Sequence, residues 1–448
     1  MRSRYASSPA APPDAAAERP FHCPVCHRST AADERLAGDE VAPELASLVI
    51  ANTPGWEPRL GLCRDCARRF GSALDALRRH AVSAESMPIL PTPLRIGAPD
   101  ALRGRGVTMA FLDSGFYAHP DLVEPQDRIV RYVDITNARR RREDLERPDA
   151  SSWHGMMTSV VACGNGALSN GFYRGVASEA RVVLVKVGEM ARVTHDNLRR
   201  GLDWVVRNRK RYDIRIVNVS CGGDYQASYL RDGLSQAAER ATREGILVCA
   251  AVGNQGHAPG HPVLPPASAP SALTVGGLDD HNRLAFSGYD MYHSSYGPTV
   301  DGLQKPEVIA PGIWVAEGEL KALIQAHTGV DGDLDAALGL EPPLIRQLVA
   351  AKIKGHNVIS GSYKHVDGTS FAAPIVSSIA AQMIEANPAL VPQDIKRLLI
   401  DTARRIPGTS VDRQGWGVVD AEKAVQAALD VRGRPSPLGA GRARPRPA

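Results

Sequence analysis

The sequence predicts an α/β domain with a mostly parallel central sheet, preceded by a small cysteine-bearing module. From about residue 101 to 430, short apolar runs alternate with amphipathic stretches, the pattern of strands joined by crossover helices. Ahead of that region, four of the seven cysteines stand in two Cys-x-x-Cys pairs. The 448 residues leave room for one large domain plus something smaller.

Taken in order, residues 1–20 are rich in Ala, Pro and Ser and are expected to form a disordered tail. Residues 21–80 hold Cys23, Cys26, Cys63 and Cys66. Four thiolates suit a tetrahedral zinc ion, each pair closing one side of it. The pairs lie 36 residues apart, wider than the roughly 15–20 of a compact zinc site, and the helical piece ELASLVIAN fills the gap. A redox pair and two unliganded pairs are the alternatives, and His22 and His27 are alternative ligands. So small a module has little core, and a bound metal would supply folding free energy. Arg64, Arg68, Arg69, Arg78 and Arg79 follow the second pair. They are expected on a solvated helix face rather than against nucleic acid. The module's position suggests a protein partner or a regulatory role.

Residues 81–100, with four prolines, read as a linker or extended strap. In 101–430 the runs VTMAFLD, RVVLVKV, IRIVNVS and GILVCAA are strand-like, and 195–210, 227–244 and 392–403 are helical. Residues 316–362 interrupt the rhythm as an insertion, and the Pro/Gly/Arg-rich 431–448 is expected to be a disordered tail.

A net charge of +4, with 43% apolar and 23% charged residues, is ordinary for a globular protein and argues for neither nucleic acid nor a membrane as partner. No apolar run approaches the roughly 18 residues of a membrane span. The N-terminus lacks the apolar core of a secretory signal. An odd number of cysteines makes a poor disulfide framework, so a reducing, cytoplasmic compartment is expected. Cys163, Cys221 and Cys249 are expected as small buried residues.

Parallel α/β sheets present reactive groups at the carboxyl ends of their strands. Here Asp113 ends VTMAFLD, His154 opens a helical stretch, Asn254 follows GILVCAA, and Ser370 stands in VDGTSFAAPIV at a helix start. Amide hydrolysis needs a nucleophile, a base, a carboxylate that orients the base, and donors for the oxyanion. These four residues match those needs. Gly115 allows a tight turn, Gly155 leaves room beside His154, and Gly253 lets the chain bend. Singly, each has a plainer reading: a core histidine, a turn aspartate, a turn asparagine, a helix-capping serine. Pro374 is expected near the helix start, where a missing N–H costs least.

Asp113-Ser-Gly, His154-Gly, Gly253-Asn254 and Gly368-Thr-Ser-Phe-Ala-Ala-Pro374, in that order, resemble the subtilisin family of serine proteases. Asn218-Val-Ser-Cys-Gly-Gly223, Pro266–Pro270 with LTVGG, Lys305-Pro-Glu-Val-Ile-Ala-Pro-Gly312 and Gly415-Trp-Gly-Val-Val-Asp-Ala421 extend the likeness across 101–430. The resemblance implies a three-layer subtilisin-like fold, with the N-terminal module expected to be zinc-ribbon-like. It also implies Asp113, His154 and Ser370 as a catalytic triad, Asn254 as oxyanion-hole side chain, and polypeptide substrates bound as a strand beside Ser220, Cys221, Gly222 and Gly223. The sequence departs from the family at Met156, where Thr is usual. No segment in 1–100 resembles an inhibitory propeptide. No acidic cluster has a calcium-loop pattern, leaving calcium open. Met156 and the insertion favour a rival class, a peptide-binding adaptor with weak turnover; the four filled positions favour an endopeptidase.

Overall fold

The computed structural model describes residues 20–80, 89–147, 151–189, 192–284, 288–318, 358–360 and 362–432. Most of the 316–362 insertion and the expected tails lie outside the described residues. The chain forms two compact units, divided after Ala76.

In the larger unit, strands β1 (Thr108–Asp113), β2 (Ile129–Asp134), β3 (Arg181–Lys186), β4 (Ile214–Val219), β5 (Leu247–Ala251), β6 (Leu273–Asp279), β7 (Asp290–Met291) and β8 (Val308–Pro311) form one sheet. Their spatial order is β7-β6-β5-β4-β1-β3-β2, with β8 also on β6. All pairs are parallel except β6 with β7. Such strands are buried on both faces, which is why they read as continuous apolar runs. Alternate residues serve opposite layers. Met109 and Phe111 pack with helices α1 (Ser152–Cys163), α4 (Thr369–Ala386), α5 (Pro392–Thr402) and α6 (Ala421–Asp430), while Ala110 and Leu112 pack with α2 (His195–Tyr212) and α3 (Gly233–Arg243). The result is three layers, helix, sheet, helix. Among the described residues no helix is long and apolar enough to cross a membrane.

Two features lie outside the alternating rhythm. Residues 89–98 are pinned to the domain: Leu90 N donates to Asn282 Oδ1 at 2.7 Å, and the buried Arg95 meets the buried Asp280 at 2.9 Å. The insertion leaves and returns through a separate sheet of β9 (Val315–Gly318), β10 (Val358–Ser360) and β11 (Tyr363–Val366), with β11 central and antiparallel to both neighbours. Tyr363 Oη ties β11 to the core by donating to the buried Asp121 at 2.8 Å.

A charged cluster locks β6 to the loop before β8. Lys305 Nζ and Lys396 Nζ each lie 2.6 Å from Glu307 Oε1, and Glu307 Oε2 accepts from Thr274 N at 2.7 Å. Burial pushes the Lys305 ammonium down to about 8, against the pull of Glu307. Burial also opposes the Glu307 carboxylate, but the two ammonium groups outweigh it and hold its pKa below the usual range. Removing the shared anion leaves buried cations unpaired, so Glu307→Gln is expected to cost about 3–5 kcal/mol. Urea unfolding should show a lower midpoint at unchanged slope.

The smaller unit contains two short antiparallel pairs, Phe21–His22 with Ser29–Thr30 and Arg35–Leu36 with Leu62–Cys63. The expected helix between the cysteine pairs is Pro43–Asn52, and Arg64–Arg79 starts directly after Cys63. Its arginines do not form one basic face. Arg69 is buried, Arg68 meets Asp65 at 3.0 Å, and Arg64 Nε donates to the Asp33 carbonyl at 3.4 Å.

Candidate active site

Asp113 ends β1 with its carboxyl buried. Its Oδ1 accepts from Ser114 N and lies 2.7 Å from His154 Nδ1, while Oδ2 accepts from Thr158 Oγ1 at 3.1 Å. His154 is the third residue of α1, and Thr158 is one turn on, on the same face. The turn after β1 and the first turn of α1 can meet because both carry glycine. A Cβ on Gly155 would lie 2.2 Å from Gly115 O, and one on Gly115 would lie 2.5 Å from Ser151 O. Gly115 is thus needed for close approach, rather than for the turn expected from sequence. Burial disfavours a charged His154, but the adjacent Asp113 carboxylate outweighs it and holds the imidazole pKa above its ordinary value of 6.5. Met156, the unusual residue, is fully buried in the apolar core.

Ser370 is not the helix cap. Gly368, at φ +142°, is the N-cap of α4, and Ser370 is the second helical residue. Its Oγ donates to Ser220 O at 3.0 Å, and Ser220 Oγ donates back to Ser370 O at 2.8 Å. Pro374 lies inside the helix, four residues after Ser370 rather than in the first turn. Proline has no N–H to give to the carbonyl four residues back. The Ser370 carbonyl is thereby released, and Ser220 fills it. Asn218 Nδ2 donates to Ser220 Oγ at 2.9 Å, and Ser377 Oγ donates to Asn218 Oδ1 at 3.1 Å, anchoring the pair to β4 and α4. The ring of Phe371, next in sequence to Ser370, lies 5.8 Å from the His154 ring.

Asn254 follows Gly253, whose φ of +105° turns the chain away from β5. Its Oδ1 accepts from Thr369 N at 3.0 Å and Thr369 Oγ1 at 2.8 Å, so one side of the amide caps α4. That backbone donor fixes which end of the amide is oxygen, and Nδ2 faces the other way. The turn is stitched to a second segment: Ser295 N donates to Gly253 O at 2.8 Å, Gly256 N to His293 O at 2.9 Å, and His293 Nδ1 bonds Asn254 O at 2.8 Å.

The 220–223 segment runs on from β4. Ser220 and Gly223 are buried, Gly222 is exposed, and burial raises the Cys221 thiol well above its usual range. Gly223 N donates to Pro265 O at 2.7 Å, and a Cβ there would meet His195 Nδ1 at 2.4 Å. Glycine at 223 therefore answers an internal neighbour, and Gly222 offers the open backbone. His195 lies 2.6 Å from Asp232 and stacks on Tyr225 at 4.3 Å.

Sequence reasoning missed Thr158, Ser220 as partner of Ser370, Thr369 and His293. The spacing of Thr158 from His154 was available; the others pair across 115 residues or more, or across 39 for His293 with Asn254.

In the smaller unit all four cysteines are buried, and their sulfurs lie within 4.8 Å of one another. The Cys23–Cys66 and Cys26–Cys63 distances are 3.9 and 3.8 Å. A tetrahedron with roughly 2.3 Å metal–sulfur arms has edges of about 3.8 Å, so the residues fit a four-thiolate metal ion. Among the described residues, His22 and His27 stand outside this group. Hydrogen bonds from Cys23, Cys63 and Cys66 hold the Cys26 thiol well below its ordinary range.

The fold defines a class, three-layer α/β proteins built on a mostly parallel sheet. The subtilase family profile matches residues 104–417, and the chain belongs to that family. It is 32% identical over 332 residues to serine protease AprX of Bacillus subtilis, covering 72% of this chain and 67% of the relative. It is 28% identical over 340 residues to subtilisin BL of Lederbergia lenta, covering 74% and 97%. The fold is shared with the protease domain of PatA, at TM-score 0.52 and 21% identity over 74% of this chain and 98% of that one. The protein is a subtilisin-like serine endopeptidase, and its substrates are polypeptides.

Proposed function

We propose that Asp113, His154 and Ser370 form the catalytic triad, with Asn254 Nδ2 and the Ser370 N–H as oxyanion donors. The observation that carries this reading is the 2.7 Å contact between His154 Nδ1 and a buried Asp113 carboxylate. That contact leaves His154 Nε2 as the base. Ser370 Oγ donates to Ser220 O rather than to His154 Nε2, so this role requires the hydroxyl to exchange the one acceptor for the other as substrate binds. His154 takes the Ser370 proton as Oγ attacks the scissile carbonyl. It returns that proton to the leaving amine, and water then hydrolyses the acyl-enzyme. The developing oxyanion faces the N-terminus of α4, where free N–H groups favour negative charge. The peptide adds as a strand beside Ser220–Gly222.

A tagged fluorophosphonate tests the assignment. The wild-type chain should label and Ser370→Ala should not; labelling that persists in the variant refutes the nucleophile. The raised His154 pKa has a definite sign. The base works only when neutral, so the acidic limb of kcat/KM should lie above the ordinary 6.5. In Asp113→Asn the residual activity should have its limb shifted to lower pH, which a pH–rate profile on a peptide substrate reads.

The four cysteines would hold a structural zinc ion, supplying cross-links to a unit with little core of its own. We place the enzyme in a reducing, cytoplasmic compartment, supported by seven free cysteines. The N-terminal unit is assigned to regulation or to binding a protein partner, on its position ahead of the protease domain. Its removal should change partner binding or activity on folded proteins.

A further inference from the structure

The sheet ends at β2, which pairs only with β3 among the described residues. Its outer edge opens on a groove of about 810 Å³, bounded by β2, by the turn 137–142 and by Trp204 of α2. Val130 and Arg131 of β2 are exposed to it. Its two carboxylates are engaged by their own surroundings. Asp134 is buried, and its Oδ1 accepts from Thr136 N, Thr136 Oγ1 and Asn137 N at 2.8, 2.7 and 3.1 Å. Asp127 accepts from Ile129 N at 2.9 Å and meets Arg142 at 2.7 Å. Arg140 is matched by Asp144 at 3.2 Å. The exposed guanidinium groups of Arg131 and Arg141 meet no carboxylate among the described residues: Arg141 Nη1 donates to the Ala138 and Arg140 carbonyls at 2.7 and 3.1 Å, and it is the Arg141 backbone N–H that donates to Asp144 at 2.6 Å. The groove therefore joins three things an extended peptide needs: an unpaired strand edge, a partly apolar wall, and uncompensated positive charge. Charge placed only on an edge strand guards against sheet-to-sheet pairing. Here arginine also stands across the groove from the edge, where it would flank an added strand.

We propose that this groove binds an extended acidic segment of another polypeptide, added as a strand to β2 and flanked by Arg131 and Arg141. The site is separate from the nucleophile. Asp113 and Asp134 both lie in register with Lys186, so the end of β2 stands two strands, roughly 10 Å, from the end of β1.

The probe is a fluorescein-labelled ten-residue peptide of alternating Glu and Val, titrated into the full chain carrying Ser370→Ala so that it is not cleaved. Saturable binding is expected, weakened about ten-fold by Arg131→Glu with Arg141→Glu and weakened further by salt. Methylating alternate backbone nitrogens along one edge of the peptide should abolish it. In the chain with Ser370 intact, the same double variant should cleave a short neutral peptide at the unaltered rate, which shows that the fold persists. No saturable binding, equal binding of a Lys/Val peptide, indifference to the charge reversal, or displacement by a neutral peptide that occupies the cleft would each overturn the proposal.

Discussion

Ser370→Ala is expected to lower kcat on casein by about 10⁶-fold, the scale this loss has in subtilisin itself, while leaving the fold intact. The fold should survive because the serine hydroxyl makes one partly buried hydrogen bond, to Ser220 O at 3.0 Å, worth on the order of 1 kcal/mol. The reciprocal bond from Ser220 Oγ to the Ser370 carbonyl does not use the hydroxyl and remains. The released carbonyl opposite Pro374 thus stays satisfied, and the helix start keeps its place. Residual activity should still exceed the uncatalysed rate by roughly 10³–10⁴, since oxyanion donors and substrate binding are untouched. Asp113→Asn should cost about 10⁴, because the amide disturbs the histidine tautomer that places a lone pair on Nε2. Steady-state kinetics on purified variants reads both numbers. Casein cleavage equal to wild type in Ser370→Ala would eliminate this triad and leave the peptide-binding adaptor as the better account.

The parts of this site that were legible in the sequence are those carried by contiguous chain. β1 is buried on both faces, so between Thr108 and Asp113 its residues MAFL are all apolar. Gly253, Gly155 and Gly368 mark points where backbone geometry or close approach allows no side chain, and such points appear as motifs. What was not legible depends on partners distant in sequence. Ser370 looked like a cap because serine favours helix starts, yet the left-handed φ of Gly368 moved the cap two residues earlier. Pro374 looked like an N-terminal proline; its actual consequence, a free Ser370 carbonyl, is visible only once Ser220 is seen beside it, 150 residues away. The bracing of the Asn254 turn by His293 to Ser295 has no local signature. Similarly, in the linear sequence the Arg139–Arg142 run stands beside Glu143, Asp144 and Glu146. Folding pairs the side chains of Arg140 and Arg142 with carboxylates, leaves Arg139 exposed, and sets Arg141 in the same groove as a sheet edge that no linear pattern reveals.

Stripping metal from the full chain is expected to unfold residues 20–76 while the protease unit keeps its melting temperature. The smaller unit has few large buried side chains: Val25, Val49, Trp56, Leu62 and Phe70 are the main ones. Against that stands the ordering of some sixty residues, at about 1–2 kcal/mol each for the backbone alone. Structural zinc in a four-thiolate site contributes roughly 10–16 kcal/mol near neutral pH, and where no site exists in the unfolded chain that contribution is folding free energy. Four sulfurs this close repel one another if all are ionised, and the hydrogen bonds that depress Cys26 do so at the expense of Cys63 and Cys66, which are driven up. A divalent cation removes that conflict by stabilising all four thiolates together. One equivalent of zinc should therefore co-purify with the chain, and Cys26→Ser should lose it. Hydrogen exchange should then collapse to unprotected rates in 20–76 alone, and acidification should release the metal as the thiolates protonate. If chelation leaves protection unchanged, with two disulfides or four free thiols in a folded unit, the cysteines pack as a core or cycle as redox pairs, and the metal assignment falls.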